Sequence, residues 1–203
     1  MTNYIDPDEL REYIGSDTSQ FQTVIDTLCT VASRSVESIC DRNFTQDTSA
    51  TAQYFDPRTW YCCEVDDIST TNGLLVATDD DGSGNYSTSW TLNTDYFLEP
   101  VNQRQGPISG WPYTELTVLQ TKVFRKQSLN LRPLVKVTAQ WGWAAVPEPV
   151  KQATLIAAAR LFKMKDAPDG FVGLDGWGPV RVRENPEVKA LLGPFMKYPV
   201  VVA

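Results

Sequence analysis

Histidine is absent from this chain of 203 residues. Its absence excludes the Ser–His–Asp and Cys–His pairs of nucleophilic catalysis, which need an imidazole to take the proton. Neither a Gly-x-Ser-x-Gly elbow nor a phosphate loop of the GxxxxGK[ST] type occurs. Cysteine is scarce: Cys29, Cys40, Cys62 and Cys63, of which two are adjacent and none forms a C-x-x-C pair. Without imidazole, a zinc site would need all four thiolates at unsuitable spacings. The expectation is therefore free thiols in a reducing cytoplasm, no metal, no cofactor and no enzyme.

Positive charge is in deficit, with 18 Lys and Arg against 25 Asp and Glu, a net charge of −7 and a pI near 4.6. Gripping nucleic acid requires clustered cations that neutralise phosphates, and this balance argues against it. An acidic surface repels passing DNA, as suits a conduit better than a clamp. No stretch approaches the ~18 consecutive apolar residues that span a bilayer. The start, Met1-Thr2-Asn3-Tyr4-Ile5-Asp6, shows neither a basic nor an apolar leader region, so no secretory signal is expected there.

What is present is an ordinary hydrophobic fraction of 42%, in a chain long enough for one domain with an insertion or for two small lobes. Asp6 as N-cap, Pro7 at the first helical position and Gly15 as the stop predict a short helix. A long amphipathic helix, capped by Asp17 or Ser19, is predicted to run to about Asp41. Its apolar stripe would be Phe21, Val24, Ile25, Leu28, Val31, Ala32, Val36 and Ile39. Gln22, Asp26, Arg34 and Glu37 would form the wet face.

Between Asn43 and Trp143 the helical period gives way to β-branched and aromatic runs separated by Gly, Pro, Asn and Asp. Strands are predicted at 52–55, 61–65, 96–99, 115–123 and 134–141, with a hairpin of 74–78 and 86–92. In the last strand Val135, Val137, Ala139 and Trp141 alternate with Lys136, Thr138 and Gln140, the half-wet pattern of an antiparallel sheet. The hairpin tip Asp79-Asp80-Asp81-Gly82-Ser83-Gly84-Asn85 resembles the start of a calcium loop, but Trp90 stands where that loop needs a bidentate Glu. A solvated tip accounts for the same residues. Asp66 and Asp67 are adjacent, so on a strand they would not converge for acid/base work, and a solvated loop is the plainer expectation. Trp60, Trp90, Trp111, Trp141 and Trp143 lie in or beside strands. They fit core filling, or, as a rival, the platforms of a carbohydrate-binding β module.

The last third opens with Pro147-Glu148-Pro149 and a helix over 150–163 rich in alanine and apolar on nearly every side. Such a helix asks for neighbours, and one small domain is not expected to cover all of it. After it come the glycine-studded 170–178, carrying Phe171, Leu174 and Trp177, then Val180-Arg181-Val182-Arg183 and a short helix over 185–195. The glycine loop follows no strand and opens no helix, so docking on a partner or on its own core is preferred to phosphate binding. The closing Phe195-Met196-Lys197-Tyr198-Pro199-Val200-Val201-Val202 reads as an apolar tail or a plain terminal strand. Burying the tail on a partner would contribute roughly 25 cal/mol per Å² of apolar area.

Several stretches in order resemble the adaptor family of head–tail connectors from long-tailed bacteriophages of the siphophage type, actinobacteriophage members included. They are Ala52-Gln53-Tyr54-Phe55, Val65-Asp66-Asp67-Ile68, Asp95-Tyr96-Phe97-Leu98-Glu99-Pro100 and Trp111-Pro112-Tyr113. The likeness continues through Gln140-Trp141-Gly142-Trp143, Ala158-Ala159-Arg160-Leu161-Phe162-Lys163, Asp166-Ala167-Pro168 and Pro186-Glu187-Val188-Lys189-Ala190-Leu191-Leu192. The resemblance implies a structural virion protein that brings no catalytic residues. About a dozen copies would form a ring beneath the portal protein, with the stopper or tail-completion protein on the far side and double-stranded DNA passing through unbound. Location would be the head–tail interface of the virion, after assembly in the host cytoplasm. A stopper or tail-completion protein of the same neck is the nearest rival.

The fold class expected is α+β: a helical framework from the two chain ends, 1–45 and 147–203, with an antiparallel β-rich insertion at 46–146. Candidate contacts between subunits are Leu161, Trp177, Arg181 and Arg183; candidates toward the portal are Phe195, Met196 and Tyr198. Extended backbone would put Arg181 and Arg183 on one face, able to meet carboxylates next door.

Overall fold

A computed structural model describes residues 2–15, 21–119, 122–125, 133–164 and 185–197. The chain forms two compact units, one from Met1–Phe44 with Val146–Ala203 and the other from Thr45–Ala145. The first holds the helices and the second an antiparallel sheet, so the fold is α+β.

In the helical unit, α1 spans Pro7–Ile14. The Asp6 carboxylate accepts from the Asp8 N–H at 2.8 Å, while Glu9 reaches back to accept from the Asp6 N–H at 2.9 Å. This reciprocal cap satisfies donors that the first turn leaves open. Gly15 closes the helix at φ +64°, a left-handed conformation that costs glycine least. Helix α2 spans Gln22–Cys40 and buries Ile25, Cys29, Ala32, Ser33, Val36 and Cys40. Its dry stripe is therefore rotated from the predicted one: Val31 is exposed, and small Cys and Ser side chains take the inner positions. The caps expected at Asp17 and Ser19 lie outside the described residues.

Helix α3 spans Glu148–Met164 and buries Val150, Ala153, Thr154, Ala157, Ala158 and Ala159. Helices α1 and α2 pack against it, as does α4, Pro186–Leu192. The expectation that one unit would not cover all of this helix stands for its larger apolar side chains, and only its inner face is closed. That inner face is mostly single methyl groups, which let three neighbours of the same chain approach closely. Leu155, Ile156, Leu161 and Phe162 remain half-buried.

Both chain ends are tied at the far end of α2. The Tyr4 N–H donates to Ser33 Oγ at 3.0 Å, its hydroxyl donates to Glu37 Oε1, and the Phe44 N–H donates to the same hydroxyl at 2.9 Å. Burial first, then the Glu37 carboxylate, pushes the Tyr4 hydroxyl well above the ordinary tyrosine range. Phe44 sits edge-on to Tyr4 and to Phe195, with ring centroids 5.8 and 6.0 Å apart, and the Lys197 N–H donates to the Cys40 carbonyl at 2.9 Å.

The second unit's strands are β1 Thr51–Phe55, β2 Cys62–Thr78, β3 Thr88–Trp90, β4 Tyr96–Glu99, β5 Arg104–Gln105, β6 Ile108–Ser109, β7 Tyr113–Val118 and β8 Val135–Trp141. The main sheet runs β1-β8-β2-β7-β4, with β3 also on β2, and β5 with β6 makes a small ribbon. In β8 the side chains alternate buried and half-buried as the pattern predicted. What reads in the sequence as two strands is one: β2 has 17 residues, pairs β7 by its first half and β8 by its second, and shifts register between Glu64 and Leu75. Gly73, at φ +71°, lies in that irregular stretch.

Asp67 lies inside β2 and is buried, not in a solvated loop. Its Oδ2 accepts from Trp143 Nε1 at 2.9 Å and its carbonyl from the Gly142 N–H at 2.8 Å, while Trp111 stands edge-on to Trp143 at 4.8 Å. The four cysteines are free thiols and all are buried. Burial holds Cys29 up at about 11 and Cys40 and Cys63 up at about 12.

Replacing Trp143→Phe removes a donor from a buried carboxylate and should cost about 1–3 kcal/mol in denaturant unfolding. Asp67→Asn keeps an acceptor and should cost less; the reverse order would overturn the role given to the Trp143–Asp67 hydrogen bond. The thiols give a second expectation. At pH 8 a thiol of pKa about 12 is ionised in about one molecule in ten thousand. Iodoacetamide should therefore label the native chain negligibly and the denatured chain at all four cysteines. Their pKa values are raised from 9 in the fold, so the stability they contribute is whole below pH 9 and is lost as pH climbs toward 11–12. Melting temperatures measured from pH 7 to 11 should decline across that alkaline window.

Candidate functional site

The residues that invited chemistry are occupied by structure. Asp79, at the predicted solvated tip, is 1% exposed. Its carboxylate accepts from the Gly82 N–H at 3.0 Å and the Gly84 N–H at 2.7 Å, so it holds the turn from inside. Asp80 accepts from the hydroxyls of Thr78 at 3.0 Å and Thr88 at 2.6 Å, and Asp81 from the Ser83 N–H at 3.0 Å. This tip is a hydrogen-bonded turn whose acidic oxygens satisfy its own donors. Among the described residues, no group of His, Cys, Asp and Glu is arranged to hold a metal ion. No described helix is long and apolar enough to cross a membrane.

The tryptophans divide sharply. Trp90, Trp111, Trp141 and Trp143 are buried, Trp90 stacked on Phe124 at 4.8 Å. Core filling is thus what most of them do, and the sugar-platform reading is not favoured. Among the described tryptophans Trp60 is the exception at 60% exposed, followed by Tyr61 at 62%. The pair precedes β2, held by backbone bonds from Phe124 N–H to Trp60 O at 2.7 Å and from Val118 N–H to Tyr61 O at 2.9 Å. Val123, also exposed, is next in sequence to Phe124. Reading Trp60 as core missed this patch; the nearby Asp56-Pro57 break, which ends the strand period, was the available signal.

Of the predicted contact residues, Trp177, Arg181, Arg183 and Tyr198 lie outside the described residues, as does the glycine loop. Leu161 is half-buried on α3. Phe195, expected to reach a portal, is instead 2% exposed, with its ring against Phe44 inside the helical unit. Met196 next to it is half-buried.

The helical unit also carries a groove of about 390 Å³ between the first turns of α3 and the last turns of α1. Ile5, Leu155 and Tyr13 supply its apolar surface. Glu9, Glu12 and Glu148 bring three carboxylates against the single ammonium of Lys151, which pairs with Glu148 at 3.1 Å. Sequence spacing could not join these residues, because α1 and α3 are more than 130 positions apart.

No protein-family model matches the sequence, and no curated protein is similar to it at the sequence level. Solved structures do share its fold. A chain in the neck of an empty GTA (gene transfer agent) particle, reconstructed with C6 symmetry, matches with a TM-score of 0.55 at 14% identity over 98% of this chain and 93% of that one. A chain in the neck of the native GTA particle, reconstructed with C12 symmetry, matches with a TM-score of 0.53 at 13% identity over 100% of this chain and 98% of that one. The likeness is one of fold, and it runs the full length of both partners.

Proposed function

We propose that this chain is a structural protein of a phage neck: a head-to-tail adaptor whose copies form a ring of about twelve beneath the portal and continue the DNA channel. The observation that carries the reading is the fold shared over essentially the whole chain with proteins seated in the neck of a phage-like particle. The C6 and C12 symmetries of those necks support a ring of about twelve copies. The net charge of −7 supports a channel wall that lets DNA pass without holding it by phosphate contacts. The role is mechanical, with partners above and below: the portal protein and a stopper or tail-completion protein. In that arrangement Leu161, Trp177, Arg181 and Arg183 face neighbouring subunits, while Met196 and Tyr198 lead toward the portal. Trp60 and Tyr61 join them as a candidate contact, since exposed aromatics anchor interfaces.

The test is a pull-down of the full chain with its cognate portal, with ring stoichiometry read by native mass spectrometry. Portal-dependent rings near twelve copies are expected; a chain that ignores the portal but captures tail protein would be a stopper. Truncation after Lys197 should reduce portal capture and leave the melting temperature unchanged. Phe195→Ala should instead destabilise the isolated chain by about 3–5 kcal/mol, as a buried aromatic does. A Phe195→Ala chain of unaltered stability that fails only in portal binding would return Phe195 to the contact surface.

A further inference from the structure

The groove between α1 and α3 combines two properties that together specify an occupant. Its floor is apolar, with Ile5 buried, Leu155 half-buried and the Tyr13 ring 50% exposed. Its rim is acidic: Glu12 is exposed and Glu148 keeps 84% of its side-chain surface in solvent even while paired with Lys151. A fitting guest is a short segment that alternates aliphatic and cationic side chains. Its aliphatic groups would cover the floor and its cations would meet the rim.

The chain carries such a segment, Val180-Arg181-Val182-Arg183. Resting on the neck reading above, we infer that the groove of one copy receives the segment 180–183 of the adjacent copy, with Arg181 and Arg183 toward Glu12 and Glu148. Two excess carboxylates in the groove then face two guanidiniums. Guanidinium is the cation suited to forked carboxylate pairing. A ring requires such a head-to-tail contact, in which one patch of each copy meets a different patch of the next.

The experiment titrates a peptide of residues 179–184 into three full-length chains at concentrations where they are monomeric: wild type, R181E/R183E and E12R/E148R. The altered groove positions are exposed, and matching circular-dichroism melts verify that each variant folds. Wild type and R181E/R183E should bind the peptide alike, more weakly as salt rises, and E12R/E148R should bind it roughly tenfold more weakly or worse. Equal binding by E12R/E148R, or no binding by any chain, overturns the inference. So does binding by R181E/R183E alone, because the wild-type groove would then be filled by its own segment. The two readings fail separately. Portal-dependent rings that persist in E12R/E148R would remove this contact and leave the neck assignment standing. Peptide binding by a chain that never joins a portal would do the opposite.

Discussion

Close packing around α3 is the constraint on which the helical unit depends. A helix whose inner side chains are Ala153, Ala157, Ala158 and Ala159 buries little area per residue, so it is held by how near its neighbours can come. Cys29 and Ala32 of α2 meet it with equally small groups, and Ile5, Leu10 and Ile25 fill the space between. Enlarging any of these would push the helices apart, because interiors at this density have no slack. The same constraint explains Cys29. Cysteine here is a small hydrophobe placed where a larger side chain would not fit.

Both chain ends contribute to that unit, and polar groups fix how they meet. Tyr4 ties the first residues to Ser33 and Glu37 on α2, and its ring abuts Phe44, which in turn packs on Phe195 from the other end of the chain. A buried hydroxyl that both donates and accepts sets the position of the segment before α1 more sharply than apolar contact would. In the sheet unit, Asp67 and Trp143 play a comparable part, joining β2 to the turn that follows β8. What these arrangements leave outward is surface suited to protein contact: the exposed aromatic pair before β2 and the acidic groove. That is consistent with a part whose work is holding other parts together.

Much of the local structure was legible. The cap at Asp6-Pro7-Glu9, the stop at Gly15 and the alternation of β8 depend on neighbours a few residues away, and backbone donors and side-chain direction at that range follow from residue type. The α2 stripe was legible only approximately. Its true inner face runs through Cys29, Ser33 and Cys40, residues whose hydropathy is equivocal until a partner helix lies over them. β2 reads in the sequence as two strands, 61–65 and 74–78, yet its two halves find partners in β7 and β8 and the chain runs on.

From residue order alone came the α+β class, the acidic balance, the lack of imidazole chemistry and the identity of the short caps and alternating strands. Tertiary structure alone decided which polar groups went inside and which apolar ones stayed out. Asp67 and Asp79 are buried because indole and backbone N–H donors await them there, and Trp60 is outside because no described segment folds over it. It also decided that Phe195 belongs to the core and that Glu12 and Glu148 share one rim. Burial and charge proximity are properties of contacts between distant segments, and a linear pattern carries only the preferences of each segment by itself.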